Sequence, residues 1–350
     1  MQACDLKRKS LCRGLLLLCA GLVPIAGAAP GSDEAEQRTV RRTFEKLGVS
    51  ASDAERVLAG HFVEASLQPS NPRELSVMLG FLVDVEPEDF GQDLDQALAI
   101  RDDPDTLTFG VIDPEDPETA LDALKLSEHA ARRWLASRAG EDVNLSKREI
   151  SELEALRDKL KGQSSIAEPV SRAVRRLLVR RFRSYSTLGL AGIEPYERSG
   201  GAVLDASGEL RSASLAAKAL GLFPPDFYDL LLEYPKDRPE GFEERFFWIH
   251  YRAHGEVTLM LTHRLSVPQR PAFGSVQRQY YVSRSYNVEQ SLSNLLAVDE
   301  GTIVSYTNRT STDQVTGFGG DARRSIGRKL LGSQLEGLYR RVRQEAAKSP

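Results

Sequence analysis

The chain reads as an α+β protein: an all-helical N-terminal region, then an antiparallel sheet, then a long C-terminal helix. Three observations predict this. Apolar residues recur at helical spacing behind cap signals as far as about Leu188. Aromatic and β-branched runs with period-two alternation fill much of Glu244 to Thr310. Finally, Ile326, Leu330, Leu331, Leu335, Leu338 and Val342 share one broad apolar face over about 321–345.

In the first region, Ser52-Asp-Ala-Glu55 and Ser146-Lys-Arg-Glu149 are capping boxes, in which a hydroxyl and a carboxylate satisfy free backbone N–H groups reciprocally. Asp116-Pro117 is an N-cap with proline at the first helical position. The predicted helices are 33–47, 52–67, 72–84, 117–139, 146–161 and 167–185, and 101–117, rich in Asp and Pro, is a predicted loop. Gly189, Gly192, Pro195, Gly200 and Gly201 then mark a linker, 189–201, between a helical domain at 29–188 and an α+β domain at 202–350. A strand at 196–204 and helices at about 213–221 and 224–233 come next. Strands follow at 244–252, 256–265, 276–286, 291–298 and 302–310. His254-Gly255 suits a two-residue hairpin turn, and Asp299-Glu300-Gly301 a second one.

The first 28 residues have the layout of a cleavable export signal. Lys7, Arg8, Lys9 and Arg13 supply the positive charge, Leu15 to Val23 the apolar core, and Ala26-Gly27-Ala28 the small-x-small cleavage site. That core is too short to span a membrane, and no later segment holds 18 consecutive apolar residues. The expected address is exported: periplasmic in a bacterium, otherwise secreted. Cys4, Cys12 and Cys19 all fall inside the signal, so the mature chain is expected to hold no disulfide, thiol nucleophile or thiolate metal ligand. The formal charge is −4, and losing the signal makes it more negative, which argues against a nucleic-acid partner.

No motif names a reaction. His250 and His254 would lie ~13 Å apart on a strand, too far for one zinc ion. In the expected hairpin His250 faces Leu259 and His263 faces Phe246, and His61 and His129 complete the set without metal-ligand spacing. Asp142-Val-Asn-Leu-Ser146 starts like a calcium loop but has Lys147 and Leu153 where glycine and glutamate are required. Gly317-Phe-Gly-Gly-Asp-Ala322 echoes a dinucleotide fingerprint without the parallel strand that should follow. Backbone N–H groups there, with Arg323 and Arg324, offer a weaker anion site, against a plain glycine turn capped by Asp321. Gly-x-Ser-x-Gly and Ser-x-x-Lys are absent, and no cofactor is implied.

Arg172, Arg175, Arg176, Arg180, Arg181 and Arg183 make 167–185 strongly basic. They read as a solvated face paired with acids, or as a peripheral contact with anionic lipid. In the strand 276–286, one face carries Val276, Arg278, Tyr280, Val282, Arg284 and Tyr286; the other carries Gln277, Gln279, Tyr281, Ser283 and Ser285 and reads as solvated. The first face should then point inward, where Arg278 and Arg284 need acids or a ligand's carboxylate or phosphate.

The order of elements from 195 to 345 resembles the helix-grip arrangement of the START and Bet v 1-like superfamily, a curved sheet wrapped around a long terminal helix. The resemblance implies a cavity and an apolar or lipid-like ligand; the inward face of 276–286 then offers Arg278, Tyr280, Arg284 and Tyr286 to bind it, with Gly327 leaving room on the helix. Two other readings stand beside it: a cell-envelope enzyme with an unrecognised site, and a protein-interaction scaffold.

Overall fold

A computed structural model describes residues 32–87, 89–91, 101, 103–138, 143–236, 241–253, 256–269, 272–317 and 320–346. The expected export signal, the His254-Gly255 turn and part of the 317–322 glycine run lie outside them.

Two helices, α1 (Ser32–Lys46) and α2 (Ala51–Leu58), precede three strands, β1 (Val63–Ser66), β2 (Glu74–Val83) and β3 (Thr106–Ile112). Four more helices follow: α3 (Pro117–Ala120), α4 (Glu128–Ala136), α5 (Lys147–Lys159) and α6 (Ala167–Leu188). A short hairpin, β4 (Tyr196–Glu197) and β5 (Val203–Leu204), leads to α7 (Ala206–Lys218) and α8 (Pro225–Glu233). Five long strands then run in succession, β6 (Glu243–Ala253), β7 (Glu256–Gln269), β8 (Ala272–Val282), β9 (Val288–Val298) and β10 (Gly301–Ser311). The helix α9 (Gly320–Ala346) ends the described chain. The fold is α+β, with one large sheet in the order β1-β2-β10-β9-β8-β7-β6-β3, every neighbour antiparallel.

Most helices cover one face of the sheet. Val40, Phe44 and Val57 pack with Met78 and Ile303. Phe182 meets Phe246 edge-on, and Tyr185 stacks on Tyr280. Phe227 and Leu231 join Leu265, Val276 and Leu292. On the second face α9 lies along β2, where Leu335 and Tyr339 close over Phe81, Leu295 and Val304.

The first half is not all helix. The expected helix at 72–84 is β2, the end of the one at 52–67 is β1, and the expected loop holds β3. Strand β2 is buried on both faces, so Leu-Ser-Val-Met-Leu-Gly-Phe-Leu-Val reads as one apolar run without a diagnostic period. Gly80 is needed there because a Cβ would sit 2.6 Å from the Phe44 ring. Strand β3 is an edge strand with Leu107 and Val111 exposed, which hides its alternation. The cap of α2 is Ser50, not Ser52: its hydroxyl accepts from the Asp53 N–H at 3.1 Å. The expected helix at 117–139 is two, α3 and α4. Other signals hold. Ser146 and Glu149 form the capping box, and the β6–β7 hairpin sets His250 against Leu259 and Phe246 against His263.

The segment 189–201 does not divide helices from strands, since β1, β2 and β3 precede it, and β2 pairs with β10 and β3 with β6 beyond it. Gly189 has φ +58° and lies so close to the Tyr234 carbonyl that no side chain fits. Helix α9 also departs from its expected stripe. Ile326 and Leu330 are exposed, while Gly327, Gly332, Leu335 and Tyr339 form the contact side.

Candidate functional site on the polar face of the sheet

The five residues expected to bind a ligand fall in three places. Strand β8 carries a bulge: Leu261 pairs with Tyr281 but Thr262 with Gln279, so Tyr280 is the extra residue. The strand then ends at Val282, and alternation cannot carry Arg284 and Tyr286 onto the face of Arg278 and Tyr280. Arg278 is fully buried under α7; its Nε donates to Gln290 Oε1 at 2.9 Å and its Nη2 to Ser214 Oγ at 2.7 Å. Tyr280 stacks on Tyr185 with ring centroids 3.9 Å apart. Arg284 reaches Ser137 Oγ at 3.3 Å, and the Tyr286 hydroxyl donates to Gln279 Oε1. Gly327 stands apart on α9, where a Cβ would touch Leu75 and Val315; packing, not a cavity, explains it.

The opposite face of β8, expected to be solvated, is enclosed and polar. Thr262, Gln279, Glu289 and Thr310 form one cross-strand row over β7, β8, β9 and β10. Arg264, Gln277, Ser291 and Asn308 form the next, and Ser266, Ser275, Ser293 and Tyr306 the third. A fourth row turns apolar with Phe273, Leu295 and Val304. Of the twelve polar residues, eleven are at most 8% exposed; Glu289 is half-buried. A freely solvated sheet face would be far more open, and a core face would be apolar.

Hydrogen bonds hold these side chains in place. Arg264 Nη2 donates to Gln277 Oε1 at 2.6 Å, and Thr310 Oγ1 donates to Asn308 Oδ1 at 2.7 Å. Asn308 Nδ2 donates to the Tyr306 hydroxyl at 3.2 Å. Both glutamine carbonyls are thus occupied, whereas the amide nitrogens of Gln277 and Gln279 donate to no described group. Beside Gln279 stands Glu289, with no cation paired to it among the described residues. Burial pushes its carboxyl up to about 7, although bonds from Asn308 and Thr310 pull the other way. Burial likewise holds the Tyr286, Tyr306 and Tyr339 hydroxyls above their ordinary range, so all three stay neutral.

The loop after β8 aims Tyr286 at this face. Ser285 has φ +75°, a left-handed conformation that a non-glycine residue adopts only when its surroundings impose it. Asn144 supplies that constraint: its Nδ2 donates to the carbonyls of Val282 and Tyr286, each at 2.8 Å. Arg198 locks Asn144 in turn, donating to its Oδ1 at 2.9 Å, to Asn287 Oδ1 at 2.8 Å and to Asp313 Oδ2 at 2.8 Å. A small open hollow of about 160 Å³ lies over this network.

The remaining candidates are structural in character. Arg181 is buried on Glu149, and Arg172, Arg175, Arg180 and Arg183 engage Glu168, Glu152 and Glu118 at the surface. His263 Nδ1 and the Tyr185 hydroxyl share a hydrogen bond of 2.9 Å in the core. Among the described residues, no group of three His, Cys, Asp or Glu side chains is arranged to hold a metal ion. None of the described helices is long and apolar enough to cross a membrane.

A sequence signal for the rows exists. Gln277-x-Gln279, Glu289-x-Ser291-x-Ser293 and Tyr306-x-Asn308-x-Thr310 alternate in step on three successive strands. Judged strand by strand, each looks like a solvated face. Fold and site together define an α+β protein whose sheet is covered by helices on one face and lined with enclosed polar side chains on the other. No family model, curated protein or solved structure matches this chain.

Proposed function

We propose that the protein is an exported binding protein whose small-molecule ligand lies against the second face of the sheet. Its polar part would sit on the rows of β7 to β10 and its apolar part toward Phe273. One observation carries this reading: Gln277 and Gln279 are enclosed, their carbonyls are taken, and their amide N–H groups have no described acceptor. Amide N–H groups that no side chain of the face accepts are free to donate to a group that arrives from outside. The helix-grip resemblance belongs to the same proposal, because it places the ligand between the sheet and the terminal helix.

The expectation of an acidic headgroup rested on Arg278 and Arg284. Their guanidinium groups bond to Ser214, Gln290 and Ser137, so the reading now rests on the glutamines and not on those arginines. An enzyme would have Glu289 as its proton-transfer group, since a carboxyl near 7 suits that role at neutral pH.

Native mass spectrometry of protein isolated from the producing cell should find a bound small molecule, and its first residue should be Ala29. Replacing Gln277 and Gln279 together with leucine should abolish occupancy while the fold persists. A chain that carries nothing, and whose double variant is merely more stable, would favour the scaffold reading.

A further inference from the structure

We infer that Glu289 is the anchor for a cationic nitrogen of the ligand, so that the ligand class is an amine. The inference rests on the binding reading above and specifies its chemistry. Glu289 projects among neutral groups, with Asn308 and Thr310 as its hydrogen-bond partners. Gln279 pairs with it across β8 and β9, Thr310 across β9 and β10, and Asn308 lies one row away. Its Oε2 lies 3.4 Å from Thr310 Oγ1, whose one proton is shared with the nearer Asn308 Oδ1 at 2.7 Å. The hydroxyl of Tyr286 is already given to Gln279.

Among the described residues, the other charged and titratable groups toward this region are the hydroxyls of Tyr251, Tyr286, Tyr306 and Tyr339, the carboxyl of Asp103, to which the Tyr251 hydroxyl donates at 3.4 Å, and the guanidinium of Arg264. Arg264 is on β7, two strands from Glu289, where it bonds to Gln277 and lies over the Phe247 ring at 6.0 Å. An ionised Glu289 therefore has no compensating charge among the described residues. An anionic ligand would add a second negative charge beside this half-buried carboxylate; a neutral one would leave it without a counter-charge. An ammonium group neutralises it.

Because the amine selects the ionised carboxylate, binding releases a proton wherever Glu289 is protonated in the free protein. Affinity should be about tenfold lower at pH 6 than at pH 8 and level off above the carboxyl's own titration.

Three probes with one tail and different heads separate the possibilities: octylamine, octanoate and octanol. Calorimetric titration of the full chain, in two buffers of different ionisation enthalpy, reads both affinity and proton release. The expected result is binding of octylamine, with proton release at pH 6. Glu289→Gln should weaken it at least tenfold and flatten its pH profile, with an unchanged circular dichroism spectrum. Failure of octylamine to bind, or equal binding by Glu289→Gln, overturns the amine inference. Binding of octanoate or octanol that is lost in the Gln277→Leu/Gln279→Leu variant would leave the binding reading standing while the amine inference falls. If no probe binds and the isolated protein carries no small molecule, both fall.

Discussion

Arg181 and Glu149 meet as a fully buried two-pronged pair, Nε donating to Oε1 at 2.8 Å and Nη2 to Oε2 at 2.5 Å. The same Oε2 accepts from the backbone N–H of Ser146 at 2.8 Å, closing the capping box of α5. The guanidinium also lies over the Tyr281 ring at 4.2 Å. The carboxylate thus fastens α5 to α6, and the guanidinium fastens α6 to the sheet. Burial opposes the charge on Arg181, but Glu149 outweighs it and holds the guanidinium above its ordinary pKa.

Removing one partner should be far worse than removing both. Glu149→Ala leaves a buried unpaired guanidinium and an uncapped helix, and should destabilise by about 3–5 kcal/mol in urea unfolding. Glu149→Leu combined with Arg181→Met should recover most of that loss. Equal destabilisation by the single and double variants would show that the pair's charges are not what holds α5.

Stability should fall as pH rises through the Glu289 titration. Its folded-state carboxyl titrates at about 7 against an ordinary 4.5, so between those values the folded state holds a proton that the unfolded chain has lost. Folding is then favoured at the acid end of this window and weakened toward pH 8. One pKa unit being ~1.4 kcal/mol, the effect is on the order of 2–3 kcal/mol. Denaturant midpoints at pH 5.5 and 8 should differ for the native sequence and converge for Glu289→Gln.

Gly110→Ala should be disproportionately harmful for one methyl group. Its Cβ would lie 2.1 Å from Nε1 of Trp248, a fully buried side chain that donates to the Ala120 carbonyl at 2.7 Å. The indole cannot yield without losing that bond. About 1–3 kcal/mol of destabilisation is expected, with red-shifted tryptophan fluorescence. An unshifted spectrum at native stability would mean that β3 moves instead.

A break at the exposed turn 199–203 should not release two folded halves. β2 pairs with β10 and β3 with β6 across that point, so a clipped chain should elute as one species and separate only in denaturant. Independent halves would instead match the two-domain reading of the sequence.

What the sequence disclosed depended on whether a strand keeps two unlike faces. β6, β7, β9, β10 and α9 were legible because their alternation or their length is plain. β2 was hidden because helices pack on both sides of it, and β3 because an edge strand exposes Leu107 and Val111. The site was half legible. Arg278, Tyr280, Arg284 and Tyr286 drew notice to β8, but the bulge at Tyr280 and the left-handed Ser285 divide them, and neither leaves a mark in residue spacing. Gln277 and Gln279 look solvated until the neighbouring strands supply their rows.

The edges of the sheet come from the beginning of the chain and its middle from the end, which has a consequence for biosynthesis. β2, apolar on both sides, leaves the ribosome about two thirds of a chain length before β10, against which it must lie: Val77 waits for Asn308. No contiguous early portion can complete a sheet around it. Such non-local pairing makes for slow maturation and a long-lived sticky nascent chain. A translocation pathway that keeps its cargo unfolded, with holding chaperones on either side, would suit this topology well. A chain truncated before β10 should fail as a whole and pass to quality control, instead of surviving as a trimmed but folded remnant.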